Sequence, residues 1–281
     1  MFATASLARR IEHAEAGLIR DAARACARRV SADRMVVREA CGGVGVYVEP
    51  GAPFNKVAGL GFDGVPPLEF FESLEREFSE RQAPLQFEVS SLADPSIVRL
   101  LTHREYLLVG FENVLGLPVD ARVADSLPPT ADDIAVGETA EDESSLWIDT
   151  VTTGFLHPDV FDGPPSHESF ARELLERIFA DMAAAPGFER YLARRDGVVA
   201  GGASLRIQDG VAQLNGAATL PDHRRRGVQS ALLRHRLADG ARRGCDVAVV
   251  TTQPGSKSQQ NVQRSGFSLL YTRAILVKEP A

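Results

Sequence analysis

The residues best suited to chemistry form a short basic turn between a predicted strand and a predicted helix. Residues 221–227 read Pro-Asp-His-Arg-Arg-Arg-Gly, and the residue pattern predicts a helix over residues 227–243. The first-turn amides of such a helix have no intrahelical acceptor, and here they belong to Val228, Gln229 and Ser230. A helix start of this kind, beside several cations, is suited to binding a phosphate or pyrophosphate.

The three arginines of the turn, Arg224, Arg225 and Arg226, allow two interpretations. They can be an ordinary solvated surface, but cations oppose the positive end of a helix dipole unless an anion lies between them. Gly227, which follows them, lets the backbone approach a ligand closely. We therefore favour a phosphate site over a solvated surface.

The composition indicates that any anion site is local. The chain has 281 residues, 31 lysines and arginines against 38 acids, and a formal net charge of −7. This balance, with no aromatic residues in the basic turn, argues against nucleic acid or an anionic membrane as partner. The sequence has neither a signal-peptide core nor an apolar run of about 18 residues, so a cytoplasmic location is expected.

The sequence gives little support for a metal site or for a cysteine or histidine that acts in catalysis. The histidines and acids that suggest a metal are His157, Asp159, Asp162, His167 and Glu168. They lie in a loop rich in proline and glycine without a ligand spacing, so no metal is expected. The cysteines, Cys26, Cys41 and Cys245, show neither a disulfide framework nor a zinc motif. His223 is a conceivable base, but its place beside three arginines favours an ordinary surface residue.

Hydrophobic periodicity predicts a mixed α/β protein that positions the basic turn. Helices are predicted over residues 6–29, 68–81, 95–102, 144–156, 167–185, 227–243 and 256–265. Strands are predicted over a hairpin at 36–48 and over residues 55–62, 85–90, 106–117, 188–195, 198–207, 211–220, 245–252 and 267–277. The Asp-Gly pair at 196–197 predicts a second hairpin turn.

The two halves of this pattern repeat each other. Leu85 and Asp246 open corresponding strands 161 residues apart, and Tyr106 and Phe267 have the same separation. Equal offsets favour a duplicated unit over a chance likeness of two α/β units. Prolines and acids over residues 118–145, expected to be solvated surface, place the boundary between a domain at 1–118 and one at 119–281.

The first half lacks the chemistry of the second at the matching turn. Its segment reads Asp63-Gly64-Val65-Pro66-Pro67. The prolines remove amide donors and the carboxylate repels phosphate. We therefore expect an anion site in the second half alone.

The stretch TLPDHRRRGVQSALL resembles the GNAT N-acetyltransferase superfamily. The family motif is Arg or Gln, two residues, Gly, one residue, then Gly or Ala; residues 224–229 match the Arg and the Gly, whereas Gln229 departs from the small residue. The later element NVQRSGFSLLYTRAILVK is also similar. The resemblance is specific over about residues 196–278 and implies that the loop amides hold the pyrophosphate of acetyl-CoA.

The resemblance further implies how the rest of the cofactor is held. Backbone groups at the end of the strand before the turn would pair with the pantetheine, and a later helix would cover it. The implied cofactor-binding residues are Thr219, Leu220, Arg224, Arg225, Arg226, Gly227, Val228, Gln229, Ser230, Ser258 and Asn261. No metal is implied.

Catalytic residues stay unassigned. The family often carries a tyrosine general acid where this chain has Val262, and an asparagine nearer Gly255; Tyr271 and Asn261 are the nearest substitutes. Tyr271 is as well explained as an ordinary strand aromatic. The family often places an acid on the strand at residues 211–220, where Asn215 can at most orient a water. The oxyanion would be held by a strand amide near Leu220, and Trp147 is expected in a core or groove.

We thus expect two GNAT-like domains in tandem, the first degenerate, with a mostly antiparallel sheet flanked by helices. The expected activity is transfer of acetyl from acetyl-CoA to an amine of a small molecule or peptide N-terminus. The alternative is a non-catalytic acyl-CoA-binding or sensing module, which the missing acid and base suggest. The sequence does not identify the acceptor, and it is compatible with a homodimer.

Overall fold

The computed structural model describes residues 1–158 and 170–280, without the side chains of residues 124 and 126. Its helices are α1 (Ala5–Cys26), α2 (Leu68–Ser79), α3 (Pro95–His103), α4 (Ser144–Leu156), α5 (Arg172–Ala183), α6 (Val228–Arg242) and α7 (Lys257–Arg264). Its strands are β1 (Val36–Ala40), β2 (Gly43–Tyr47), β3 (Lys56–Ala58), β4 (Leu85–Ser90), β5 (Leu107–Pro118), β6 (Ile134–Glu138), β7 (Phe188–Arg195), β8 (Val198–Gln208), β9 (Val211–Thr219), β10 (Val247–Thr252) and β11 (Ser268–Lys278).

All of these strands form one sheet in the order β1-β2-β3-β4-β11-β5-β10-β9-β8-β7-β6. Within the described residues, only the pairs β3–β4 and β9–β10 are parallel, and the other neighbours are antiparallel. The predicted class, a mixed and mostly antiparallel sheet flanked by helices, is confirmed.

Helices cover both faces of the sheet because the apolar residues of its strands point to both sides. Val114 packs in a cluster with Ala8 and Ile11 of α1, whereas the next residue, Leu115, packs in a cluster with Leu232 of α6. Since successive strand side chains point to opposite faces, α1 and α6 lie on opposite sides of the sheet. Helices α4 and α5 share a core with α1.

The last strand of each half is exchanged with the other half. Strand β11, at the end of the chain, lies between β4 and β5 of the first half, and β5 in turn pairs with β10 of the second half. The two halves therefore share one continuous ladder of hydrogen bonds.

The register of β5 and β11 supports the predicted duplication. Arg273 pairs with Glu112, a separation of 161 residues, which is the offset found in the sequence. The ladder skips one residue in each strand, Val109 and Leu270, and these also lie 161 residues apart. A pseudo-two-fold axis thus passes through the Glu112–Arg273 pair and relates the two halves.

One strand was not predicted from the sequence. Residues 134–138, within the segment interpreted as an acidic boundary, form the edge strand β6 on β7. The neighbouring acids are also not simply solvated: Asp133 pairs with Arg195 at 2.7 Å, and Glu141 pairs with Arg190 at 3.0 Å. The predicted strand at 55–62 is shorter than expected, since only residues 56–58 pair as β3. None of the helices in the described ranges is long and apolar enough to cross a membrane.

Candidate active site

A slot opens between β9 and β10 where these parallel strands diverge. They pair only from Val211–Val247 to Gln213–Val249, although β9 continues to Thr219 and β10 to Thr252. Backbone groups beyond the last pair do not bond across the slot. An extended amide chain can therefore pair with these strand edges.

A bulge in β9 lies at the beginning of this slot. The register with β8 shifts between Gly202–Ala218 and Ser204–Asn215, so two residues of β9, at 216 and 217, oppose one residue of β8. Gly216 has φ +56°, in the left-handed region that glycine adopts without strain. A bulge bends its strand, which accounts for the departure of β9 from β10.

The predicted helix start follows at the same end of β9. Gly227 has φ +87° and caps α6 without any side-chain hydrogen bond. The amides of Val228, Gln229 and Ser230 precede the first intrahelical donor, Ala231, whose N–H donates to the carbonyl of Gly227 at 3.0 Å. Val228 is buried and anchors the helix, whereas Ser230 is exposed. The arrangement is suited to holding an anion on the helix axis.

The three arginines of the turn differ in their surroundings. Arg224 donates to the carbonyls of Thr219 and His157, and so ties the turn to the end of α4. Arg225 and Arg226 are exposed and have no hydrogen bond or ion pair within the ranges that the structure describes. Their charges are therefore available to a ligand, while Arg224 also holds the loop in place.

Helix α7 lies against the start of α6. The side-chain amide of Asn261 donates to Oε1 of Gln229 at 2.7 Å, so the structure brings these two predicted residues together. Ser258 is exposed in the first turn of α7, and Ser256 caps that helix by accepting from the N–H of Gln259 at 3.2 Å. The helix expected to cover the cofactor therefore adjoins the start of α6.

Leu220 does not fit the role expected from the resemblance. Its N–H donates to the carbonyl of Ala200 at 2.9 Å, and its carbonyl accepts from the N–H of His223 at the same distance. The N–H of Leu220 is thus bonded to β8, and its carbonyl is bonded within the turn. The N–H is therefore not free to hold an oxyanion in the way that the resemblance implied.

The side chains considered as general acids are buried away from the slot. The hydroxyl of Tyr271 donates to Glu12 at 2.7 Å, and burial, with the adjacent carboxylate, raises the pKa of this phenol well above its ordinary value. Val262, where the family often has a tyrosine, is also buried. Tyr271 is therefore an ordinary core aromatic whose hydroxyl is bonded to Glu12, and Val262 has no ionisable proton to supply.

The histidines do not form a metal centre in the described structure. Nδ1 of His157 lies 2.9 Å from the carbonyl of Thr153 at the end of α4, and His223 is half-buried in the turn. His167, Asp159, Asp162 and Glu168 lie outside the described residues. Across residues 1–158 and 170–280 no group of three or more metal-ligating side chains occurs.

The corresponding slot of the first half is closed by the chain itself. Strands β3 and β4 also diverge after two pairs, but the N–H of Asp94 donates across the gap to the carbonyl of Gly61 at 2.8 Å. A Cβ built on Gly61 would lie 2.7 Å from Cβ of Ala93. The turn carboxylate, Asp63, already pairs with Arg9 at 2.5 Å and with His13 at 2.8 Å.

Two residues that hold the bulge were not recognised from the sequence in this role. Trp147, predicted in a core or groove, is fully buried, and its Nε1 donates to the carbonyl of Ala203, opposite the bulge, at 3.0 Å. Arg236, on the α6 side of the sheet, donates to the carbonyl of the next residue, Ser204, at 3.0 Å. The available signal was its spacing, since it lies four residues after Leu232 on the apolar face of the helix.

Comparison with known proteins places this geometry in context. Residues 156–267 match the sequence profile of the Acetyltransferase (GNAT) family. No curated protein matches the chain. Solved structures match nearly the whole chain at low sequence identity, which identifies the fold and not the substrate.

Three of these structures are informative. A GCN5-related N-acetyltransferase from Kribbella flavida has 18% identity and a TM-score of 0.60, with 94% of this chain and 95% of that chain covered. A tandem GNAT protein from the clavulanic acid biosynthesis pathway has 14% identity and a TM-score of 0.62, with 92% and 88% covered. A GCN5-related N-acetyltransferase from Sphaerobacter thermophilus has 16% identity and a TM-score of 0.57, with 87% and 76% covered.

Proposed function

We propose that this chain, whose second half carries a GNAT-family acetyltransferase domain, transfers the acetyl group of acetyl-CoA to an amine. The observation that supports this most directly is the start of α6, with Gly227 at positive φ and no side-chain cap, beside Arg225 and Arg226. These groups adjoin an open slot between two parallel strands. A molecule with a pyrophosphate joined to an extended amide arm fits both features.

The residues proposed to hold acetyl-CoA follow from this geometry. The pyrophosphate would lie at the amides of Val228, Gln229 and Ser230, with Arg225 and Arg226 beside it. The remaining proposed contacts are Thr219 at the end of β9, Arg224 in the turn, Gly227 at the helix start, and Ser258 and Asn261 on α7. Leu220 is left out because its backbone groups are already bonded.

The proposed reaction is direct attack of a neutral amine on the thioester carbonyl. A C–N bond forms, the C–S bond breaks, and the thiolate leaves with a proton that comes ultimately from the amine. A lysine side-chain amine with a pKa near 10.4 costs about 4.6 kcal/mol to deprotonate at pH 7, whereas an α-amine near 7.8 costs about 1 kcal/mol. Since no carboxylate is present on β9, an acceptor with a lowered amine pKa suits this site better.

The alternative function is a non-catalytic module that binds or senses acyl-CoA. The absence of a tyrosine at Val262 and the burial of Tyr271 favour it, because neither position then supplies a proton donor to the slot. Both functions require the same phosphate site, so binding and turnover have to be measured separately.

A screen of amines distinguishes the two functions. Purified protein would be incubated with acetyl-CoA and small-molecule amines or peptides with free N-termini, and free CoA would be measured. Acetyl-CoA at 100 times its Kd should stabilise the protein by about 2.7 kcal/mol, several degrees in the melting midpoint. Binding with CoA release supports the transferase, binding without release across the panel supports the module, and absence of binding contradicts both.

Three further expectations belong to this proposal. One CoA binds per chain, because the Gly61–Asp94 hydrogen bond closes the first-half slot. The acceptor is a small-molecule or peptide amine rather than a nucleic acid. The cytoplasm, where acetyl-CoA is available, is the expected location.

A further inference from the structure

Arg236 is a buried cation that is not paired with the buried acid of its own helix, because Asp239 pairs instead with Arg242 and Arg243. It lies on α6, is only 3% exposed, and directs its guanidinium at main-chain carbonyls. Nε donates to Leu232 at 3.2 Å, and Nη1 donates to Ser204 at 3.0 Å and to Asn215 at 3.4 Å. Arg236 takes part in no ion pair within the part of the chain that the structure describes. Burial lowers its pKa to about 10, so it remains charged at neutral pH.

The carbonyls that Arg236 binds lie at the bulge of β9. Ser204 on β8 and Asn215 on β9 are the last regular pair before the register shifts. The carbonyl of Asn215 also accepts from the hydroxyl of Ser204 at 3.0 Å. Two donors therefore converge on one carbonyl, immediately before Gly216 and its left-handed φ.

Fixing this carbonyl also fixes the amide that follows it. The Asn215–Gly216 peptide is trans, so its N–H points in the opposite direction from its C=O. The carbonyl is held toward α6, and the N–H of Gly216 is consequently directed away from that helix. Across the bulge, Trp147 holds the carbonyl of Ala203. The bulge is thus held from both faces of the sheet.

We propose that Arg236 is a positioning residue for acyl transfer. Its guanidinium fixes the bulge of β9 at the beginning of the slot, and its unpaired positive charge favours the negative charge that develops on the thioester oxygen. The inference rests on the proposed function, since it needs a thioester bound in the slot. Preorganised dipoles and charges act strongly in such water-poor surroundings because no solvent reorganisation is required.

A purely structural role is the alternative. A buried arginine that bonds only carbonyls can simply close a polar gap, and apolar replacement of buried charges is sometimes neutral for stability. The two roles differ in what they predict for the chemical step. A structural role affects stability, whereas a positioning role affects turnover at unchanged CoA affinity.

The test uses Arg236→Met, which removes charge and donors, and Arg236→Lys, which keeps the charge. Arg242→Met, an exposed change on the same helix, is the matched control. CoA affinity is measured by calorimetry, turnover by CoA release, and the bulge by the 1H–15N amide shifts of Gly216 and Ala217. Melting midpoints show which variants are folded at the assay temperature.

For Arg236→Met we expect a fall in kcat of up to about a hundredfold, the size expected when reacting groups are misplaced by about 1 Å. The Kd for CoA should change less than about threefold, since the phosphate site is eight residues away at Val228. Arg236→Lys should recover part of kcat at pH 7 and lose it as the pH rises, because a buried lysine gives up its proton far more readily than arginine. Arg242→Met should match the parent.

Unchanged kcat and unchanged amide shifts in folded Arg236→Met would overturn the proposal, as would an Arg236→Lys profile parallel to that of the parent. These results are distinguishable from failure of the proposed function. In that case the parent itself binds no CoA, or binds it and releases none with any amine. If the parent does not turn over, unchanged amide shifts in Arg236→Met overturn the positioning role, and altered shifts support the bracing of the bulge.

Discussion

Arg225 and Arg226 are the side chains expected to supply most of the positive charge at the proposed phosphate site, because neither is held by another contact within the described residues. Changing both to glutamine should raise the Kd for CoA about tenfold at low salt, because each exposed charge pair contributes up to about 1 kcal/mol and two such contacts are lost. The loss should shrink at 0.5 M salt, where exposed charges are screened. Calorimetry at two salt concentrations measures both effects.

A matched control for that pair is the double variant Arg28→Gln and Arg99→Gln, which removes the same charge at exposed positions in the turn after α1 and on α3. It should leave the Kd unchanged. Equal weakening in both double variants would show that net charge, and not the turn, determines CoA affinity.

Glu112 lies on the pseudo-two-fold axis in a buried group with more acids than bases. The charged groups that act on it from β3, β4, β11 and α1 are Lys56, Glu88, Arg273 and Glu15, and Arg273 also pairs with Glu12 at 2.8 Å. Burial, followed by the charge of Glu88, raises the pKa of Glu112 from 4.5 to about 8. The side chain is 28% exposed, so it can exchange its proton with solvent.

The raised pKa predicts a pH dependence of stability. A carboxyl whose pKa is higher in the folded state stabilises the fold at low pH, and this contribution is lost as the pH rises from about 4.5 to about 8. Glu112→Gln should therefore match the parent near pH 4.5 and become progressively more stable than the parent up to about pH 8. Urea unfolding at pH 5, 7 and 9 measures the difference, with exposed Glu80→Gln as control. A constant difference across this range would contradict the assigned protonation of Glu112.

The role of a single residue was predictable where the local backbone conformation alone determines it. The role of Gly227 and of the amides after it follows from local rules for helix starts, and the structure gives this glycine φ +87°. Leu220 was expected to bond the cofactor, but its N–H donates to Ala200; Tyr271 was considered only as a substitute proton donor, and its hydroxyl donates to Glu12. Those partners are distant in the sequence, so no local pattern shows them.

At the scale of elements, α7 is a short helix that begins at a side-chain cap. It has eight residues, begins with the hydroxyl of Ser256 bonded to the N–H of Gln259, and contacts α6 through Asn261 and Gln229. Ser256→Ala should cost about 1 kcal/mol of stability, typical for loss of an N-cap. Because α7 adjoins the phosphate site, CoA affinity should fall as well.

The comparison for this variant is Thr4→Ala, which removes the corresponding cap of α1, on the opposite face of the sheet from α6. Urea unfolding should show similar destabilisation of the two proteins. Calorimetry should show weaker CoA binding in Ser256→Ala alone, and equal affinity in both variants would argue against a role of α7 in the site.

Most elements were predictable because their hydrophobic periodicity is strong, and β6 shows where this signal ends. It has five residues, only Ile134 is buried, and it lies at the sheet edge among acids. The acids looked like a solvated linker, but they pair with arginines on β7. An edge strand held by charge carries little apolar pattern to detect.

At the scale of the whole molecule, the exchange of β5 and β11 makes the halves interdependent. A chain ending at residue 266 would lack β11 and leave β4 and β5 with unpaired edges in the middle of the sheet. We expect this truncation to unfold well below the parent midpoint and to lose structure in both halves. Removal of residues 279–281 alone should be neutral, because these residues follow the last strand.

Limited proteolysis and urea unfolding would test this interdependence. Survival of a stable fragment over residues 119–266 would show that the second half folds without the shared ladder. The sequence indicated the duplication through its constant offset of 161, but not the exchange. Strand order depends on long-range pairing, and the apolar pattern of a strand is the same with either neighbour.

The central claim is that one acetyl-CoA binds per chain, at the start of α6. Calorimetric titration of CoA into the parent, Gly227→Asp and Gly64→Asp tests it most directly. Both glycines have positive φ, +87° and +96°, and neither has a close neighbour that a Cβ would displace, so the backbone strain of the two changes is matched. We predict a stoichiometry near one for the parent and for Gly64→Asp, and no binding for folded Gly227→Asp, whose carboxylate would repel the phosphate. A stoichiometry near two, or full binding by Gly227→Asp, would contradict the account.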